Sequence, residues 1–144
     1  DEALTAVAPL LAEADQRVVV AIDPAIRVLA DRSHIVRLVV NLVDNARHAS
    51  PARGTIVVGA EVEAGGDVRL WVSDDGPGIA PSERLRVFER FYRGDRARAG
   101  TGSGLGLAIA KHIAEGHGGS IWIDDASGER VGATVCVRLL AAPE

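Results

Sequence analysis

Along the chain the apolar positions change period several times, and each change marks an element. Residues 1–15 carry Leu4, Val7, Ala8, Leu10 and Leu11 at helical spacing, and Arg17–Ile22 then reads as a β-branched strand. A second short strand is expected after Pro24. Asp31 or Ser33 can cap a helix that runs to about Ala49, because Ile35, Leu38, Val39, Leu42, Val43 and Ala46 repeat at i, i+3 and i+4. Residues 54–63 and 67–74 alternate and meet across Gly65-Gly66, the pattern of an antiparallel hairpin. Residues 76–103 lose all period except for a short helical pattern at their middle and are rich in Gly, Arg and Pro. Connections of that length in compact domains are usually functional, so this stretch is expected to be a lid. A helix over 105–115 follows, stopped by Gly116 and Gly118-Gly119, then strands at 120–124 and 133–140.

Strands and helices mix without regular βαβ alternation and without repeats. That order predicts an α+β fold, with helices layered on one face of a single sheet, rather than a doubly wound sheet. With 144 residues there is room for one compact domain.

Composition narrows the function classes. Hydrophobic residues make up 47% and charged residues 25%, with a mean hydropathy of +0.13, as in globular domains. No apolar run approaches the roughly 18 to 20 residues that span a bilayer, and residues 1–11 lack a basic leader and a Met, so a soluble piece of a longer chain is expected. The lone Cys136 permits no internal disulfide and no cysteine-based metal site, which suits a reducing compartment. A net charge of −4 argues against an overall field that attracts nucleic acid or anionic lipid. Fifteen of the sixteen basic residues are Arg, with Lys111 the exception, which favours bidentate contacts to anions.

Four features carry candidate chemistry. In residues 67–74 alternation puts Val68, Leu70, Val72 and Asp74 on one face, so a carboxylate ends an apolar stripe. Burying it requires hydrogen-bond donors, from either a local backbone turn or a ligand such as an exocyclic amine. Gly76-Pro77-Gly78 would let the backbone approach a flat ligand closely. Asn41, Asn45 and His48 form a polar strip at i, i+4 and i+7 beside the apolar stripe of the long helix. The two amides either bond a neighbouring element or offer oxygen to Mg²⁺. Residues 100–107, Gly-Thr-Gly-Ser-Gly-Leu-Gly-Leu, run into a helix as an anion site would, without the strand context of a dinucleotide loop or the ending of a Walker motif. Every Phe and Tyr of the chain, Phe88, Phe91 and Tyr92, falls in the expected lid among six arginines. Such a segment is either a solvated helix face with an aromatic anchor or a lid over an anion, docked through its aromatics.

In this order and spacing the four features resemble the catalytic and ATP-binding domain of bacterial two-component sensor histidine kinases, within the GHKL family of gyrase, Hsp90 and MutL ATPases. Asn41-Leu-Val-Asp-Asn45-Ala is similar to the N box, and Asp74-Asp-Gly76-Pro-Gly78 to the first glycine box. Val87-Phe88-Glu-Arg-Phe91-Tyr92 is similar to the F box, and Gly102-Ser-Gly104-Leu-Gly106-Leu to the second glycine box. The resemblance covers residues 17–140, with 1–16 as a junction to a dimerisation domain and 141–144 as a tail.

The resemblance implies a two-layer α/β sandwich, the Bergerat fold, with a mixed, mostly antiparallel sheet and ATP between the N-box helix and the lid. It implies that Asp74 accepts the adenine amine, with Gly76, Gly78 and Ile79 beside the cofactor. It implies that Asn45, helped by Asn41, holds Mg²⁺, that Gly102, Ser103, Gly104, Leu105, Gly106 and Leu107 wrap the phosphates, and that Arg93 reaches them from the lid. His48 stands where a Lys is usual, so its phosphate contact would weaken when the imidazole is neutral. Ala49 stands where an aromatic often stacks on adenine, and that contact is lost. ATPases and serine kinases of the family carry a Glu base where this chain has Asn41. A neutral imidazole acceptor needs no such base, so the residues favour transfer to histidine.

The implied partners are a dimerisation and phosphoacceptor domain and a response regulator, with no nucleic acid and no membrane contact by this piece. It is expected to be monomeric alone and to lie in the cytoplasm, as part of a membrane-anchored sensor kinase. Its own His34, His48, His112 and His117 lack the acidic-Leu-Arg sequence that follows acceptor histidines, so no self-phosphorylation is expected. The competing readings are a GHKL-type serine kinase or ATPase, and an interaction module that has lost catalysis.

Overall fold

In the computed structural model, residues 15–23, 25–89, 106–124 and 132–140 are described. Five strands, β1 (Arg17–Ile22), β2 (Thr55–Val62), β3 (Val68–Ser73), β4 (Ser120–Asp124) and β5 (Thr134–Leu139), form one sheet in the order β1-β2-β3-β5-β4. β1 runs parallel to β2 and every other neighbouring pair is antiparallel. Two helices, α1 (Arg32–Ala49) and α2 (Gly106–Gly116), pack on each other and on one face of the sheet. The expected α+β architecture is therefore present. The helix expected within residues 1–15 lies outside the described residues, apart from Asp15.

Local chemistry sets the boundaries. The carboxylate of Asp31 caps α1, accepting from the His34 N–H at 3.2 Å and the Ser33 hydroxyl at 2.6 Å. That hydroxyl, with the His34 N–H, holds the Asp31 carboxyl below its ordinary range. At the other end the Gln16 amide donates to the carbonyls of Arg47 at 2.9 Å and Ser50 at 3.2 Å, satisfying acceptors that a helix end leaves open. Gln16, assigned to the junction on sequence grounds, is thus hydrogen-bonded to the end of α1. The second strand expected after Pro24 is not formed: residues 25–30 hold one bridge residue, Val28, and the Leu29 N–H donates to Leu140 O at 2.9 Å. The hairpin between β2 and β3 turns at Gly66, whose φ of +94° suits glycine.

The core lies between the layers. Leu38, Leu42, Val43 and Ala46 of α1 and Leu107, Ala110, Ile113 and Ala114 of α2 meet Ile56, Val58, Leu70, Val72, Val135, Val137 and Leu139 from the sheet. Ile79, Val87 and Phe88 join the same core, so the first part of the expected lid is docked rather than free. Its described portion forms two short 3-10 turns, Pro81–Glu83 and Arg86–Phe88.

The outer face of the sheet carries no helix among the described residues. Gly59, Trp71, Cys136 and Trp122 stand in one cross-strand row. The Trp71 ring lies over Gly59, where a Cβ would strike it. The Arg69 guanidinium sits 4.7 Å from the Trp71 ring centre and that of Arg138 5.2 Å from Trp122. Arg69 bonds Glu61 at 2.9 Å, and Arg138 bonds Glu63 at 2.8 Å.

Candidate functional site

The polar strip of α1 forms as its spacing requires, beside the buried stripe. Asn41 and Asn45 are half-buried, and the side-chain Nδ2 of each is buried with no hydrogen-bond partner. Of the two alternatives for these amides, donation to a neighbouring element is therefore not realised among the described residues. An orphaned buried donor costs about 1 to 3 kcal/mol, so two on one helix face point to an acceptor supplied from outside the fold. Gly106 opens the described part of α2 against Asn41, with a Cβ there falling 3.7 Å from Asn41 O and 4.0 Å from Asn41 Oδ1. The chain entering α2 thus meets the N-box helix at its first asparagine.

His48 is committed elsewhere. Its Nδ1 lies 2.8 Å from the Asp44 carbonyl oxygen and its Nε2 3.3 Å from Arg47 Nη2. A guanidinium only donates, so Nε2 accepts and Nδ1–H donates to the carbonyl, a tautomer assigned from the network. Arg47 is itself tied to Asp44 Oδ1 through Nε at 3.0 Å and Nη2 at 2.9 Å. The expected phosphate contact from His48 would need these bonds to break.

Asp74 follows the last residue of β3 and is only 5% exposed. Its Oδ1 accepts from the Gly76 N–H at 2.9 Å and the Ala133 N–H at 3.2 Å, while its own N–H donates to Ala133 O at 2.9 Å. The backbone-turn reading of this carboxylate accounts for Oδ1, and it also fixes how the group is presented. The glycines have a reason the sequence did not disclose. A Cβ at Gly76 would strike the Ala49 carbonyl, and Gly78 has φ +81° with Gly132 O 3.1 Å from its would-be Cβ. They let the chain approach its own backbone, and in doing so hold Asp74 beside the C-terminal end of α1.

Ile79 and Leu107, expected beside the cofactor, are 9% and 7% exposed and pack in the core, because both are apolar and face inward. Arg93, Gly102, Ser103, Gly104 and Leu105 lie outside the described residues. So do Phe91 and Tyr92, while Phe88 is docked near α2. Sequence reasoning missed Asp75 and Ser50: Asp75 Oδ2 accepts the Thr55 N–H at 2.7 Å, and the Asp75 N–H donates to Ser50 Oγ at 3.3 Å. The only signal was a second carboxylate beside Asp74 and a serine at the end of a long helix.

A cavity of about 840 Å³ lies apart from these residues, lined by His34, Arg37, Phe88, Ile109, His112 and His117 among others. Neither Asn45 nor Asp74 borders it. The orphaned donors and the held carboxylate lie at Asp74 and the asparagines, apart from this mainly apolar hollow.

With that geometry in place, residues 30–143 match the sequence pattern of the histidine kinase-, DNA gyrase B-, and HSP90-like ATPase family. The chain belongs to that family. Within this ATPase family the chain is of the histidine-kinase catalytic type. It is similar to the signal transduction histidine-protein kinase/phosphatase MprB of Mycobacterium ulcerans, 44% identical over 119 residues, covering 81% of this chain and 23% of the relative. It is also similar to the sensor-like histidine kinase SenX3 of Mycobacterium tuberculosis, 46% identical over 121 residues, covering 83% of this chain and 29% of the relative. The chain thus spans less than a third of the curated relatives it matches. In fold it is similar to a solved mycobacterial sensor histidine kinase MprB, with TM-score 0.86 and 35% identity over 99% of this chain and 95% of that one. Full-length ShkA, solved in complex with AMPPNP, gives TM-score 0.83 and 29% identity over 99% of this chain and 29% of that one. No helix among the described residues is long and apolar enough to cross a membrane.

Proposed function

We propose that this chain is the ATP-binding catalytic domain of a sensor histidine kinase, which gives the γ-phosphoryl group of ATP to a histidine on a dimerisation domain outside this sequence. The observation that carries the reading is Asp74, a carboxylate 5% exposed whose Oδ1 is held by two backbone N–H groups beside the end of the N-box helix. A buried, oriented carboxylate selects an exocyclic amine over a carbonyl, which is the difference between adenine and guanine at that edge. Asn41 and Asn45 face the phosphate end, and their orphaned Nδ2 donors fit phosphate oxygens. The same two amides, through Oδ1, would hold Mg²⁺, which supplies charge neutralisation at the phosphates. Gly102, Ser103, Gly104, Leu105 and Gly106 are assigned to the phosphates and Arg93 to their charge, as the resemblance implies. No base is needed, since a neutral imidazole attacks directly and the protein's task is positioning.

The partners that follow are the phosphoacceptor domain and a response regulator, and the cytoplasm is the compartment. Titration calorimetry with ADP and ATP, with and without Mg²⁺, tests the site, using GTP as base control and Asp74→Asn as site control. Adenine-selective binding that needs Asp74 is expected. Equal binding of GTP, or no binding by a folded domain, would overturn the reading in favour of an interaction module. Phosphoryl transfer should appear only when the phosphoacceptor domain is added.

A further inference from the structure

We infer that Asp75 and Ser50 are positioning residues for base recognition, a brace that sets the distance between Asp74 and the asparagines of α1. The inference rests on the role proposed for Asp74. Neither residue touches the nucleotide in this reading; both act through the backbone that carries Asp74.

The argument starts from the pleat. Adjacent residues at a strand end point to opposite sides, so Asp74 turns into the fold while Asp75 turns out, where it is exposed. Solvent would satisfy Asp75 without any partner. Instead its Oδ2 takes the N–H of Thr55, the first residue of β2, at 2.7 Å, a short bond of the charge-assisted kind. Its own N–H donates to the hydroxyl of Ser50, the C-cap of α1, at 3.3 Å. Three consecutive residues are therefore pinned to four neighbours. Asp74 is held by Ala133 just before β5, Asp75 by Thr55 and Ser50, and Gly76 by close approach to the Ala49 carbonyl.

Two of these four pins reach the end of α1. Ser50 and Ala49 end the helix on which Asn41 and Asn45 sit, so the brace couples the group that reads the base to those that meet the phosphates. A nucleotide has a fixed length from its amine to its phosphates. A site that spans both ends must hold them at that separation before the ligand arrives, or spend binding energy to do so. Asp75 holds the separation from the strand side and Ser50 from the helix side.

Four variants test this by calorimetry with ADP and GDP at a temperature where circular dichroism shows each fully folded. Asp75→Ala removes the acceptor and should weaken ADP by about 5- to 20-fold while leaving GDP nearly unchanged, so that base selectivity falls. Asp75→Asn keeps an oxygen in the same place and should return ADP affinity to within about threefold of the parent. Ser50→Ala should move affinity and selectivity the same way by about threefold, and the double Ser50→Ala/Asp75→Ala should lose less than the two losses combined. A merely stabilising contact would lower the melting temperature without changing the ADP to GDP ratio. The inference is overturned if Asp75→Ala and Ser50→Ala bind ADP with parental affinity and selectivity while Asp74→Asn does not. If the parent fails to discriminate ADP from GDP, the adenine reading itself has failed, and this inference with it. Should Asp75→Ala not fold, Ser50→Ala alone decides between the outcomes.

Discussion

The outer face of the sheet and the inner polar strip of α1 treat their polar groups in opposite ways. On the outer face, Arg69 bonds Glu61, lies 3.7 Å from Asp124 and stacks on Trp71, and Arg138 bonds Glu63 over Trp122. Charges there are met from within the fold. On α1, the Nδ2 donors of Asn41 and Asn45 are buried and meet no partner among the described residues. Folding alone would remove such orphans, since each costs stability and an apolar side chain would not. The two regions show that polarity by itself says little about function. The informative property is whether the fold has already supplied the partner.

The widest gap between the regions should open with Asp74→Asn. An amide at this position keeps an oxygen for the Gly76 and Ala133 N–H groups, but it can present a donor where a carboxylate could only accept. ADP affinity is expected to fall by about 100-fold, on the order of 3 kcal/mol, with the melting temperature little changed. Calorimetry and a thermal melt on the same sample check both halves, and a variant that binds ADP normally would erase the distinction drawn here.

Trp71→Ala is the mirror experiment. Its ring covers Gly59 and is half-buried, so truncation should cost about 2 to 3 kcal/mol of stability, somewhat less than for a fully buried tryptophan. ADP affinity should stay within about twofold, because the outer row lies on the sheet face opposite the one that packs on α1. Urea unfolding followed by tryptophan fluorescence, which Trp122 still reports, measures the first, and calorimetry the second.

How far these regions could be read from sequence differs for the same reason. The sheet, both described helices and the inward set of Val68, Leu70 and Val72 follow from period and caps, because burial of one face dictates alternation. The pairing of Asn41 with Asn45 and the carboxylate at Asp74 were also legible, as polar residues in apolar company. Three things were not. Ile79 and Leu107 lie within motifs that suggest ligand contact, and only packing shows that their side chains are core. His48 carries a ligand-like position, yet its nitrogens are taken by Asp44 and Arg47, a network that depends on rotamers. Asp75 and Ser50 are 25 positions apart in sequence, and nothing local foretells their bond.

Cys136 sharpens the outer face by a smaller amount. Burial is the main cause that pushes its thiol up from 9.0 to about 11, with Asp124 adding to it and Arg69 opposing. The folded value lies above the unfolded one, so the neutral thiol contributes stability that is complete below about pH 9 and lost as the pH rises towards 11. By pH 11 the loss should reach about 2 kcal/mol relative to a Cys136→Ala variant, in which this part of the pH dependence is absent. Denaturant midpoints of the two proteins across that range give the difference directly, and parallel curves would show that the thiol titrates as freely folded as unfolded.

The smallest effect is the most diagnostic. Asn41→Leu replaces a half-buried amide, one donor of which meets nothing, by an apolar side chain of similar shape. If the orphan is retained for a ligand, the substitution removes a cost: the nucleotide-free domain should gain about 1 kcal/mol, a rise of about 3 °C in the midpoint of thermal unfolding. The same variant should lose ATP affinity in the presence of Mg²⁺ more than in its absence, because both the donor to phosphate and the oxygen for the cation disappear together. A gain in stability coupled to a loss of binding is the pattern of a residue kept for function at the expense of the fold. A loss of both would mean that Asn41 meets a structural need, and the contrast with the outer face would then rest on Asn45 alone.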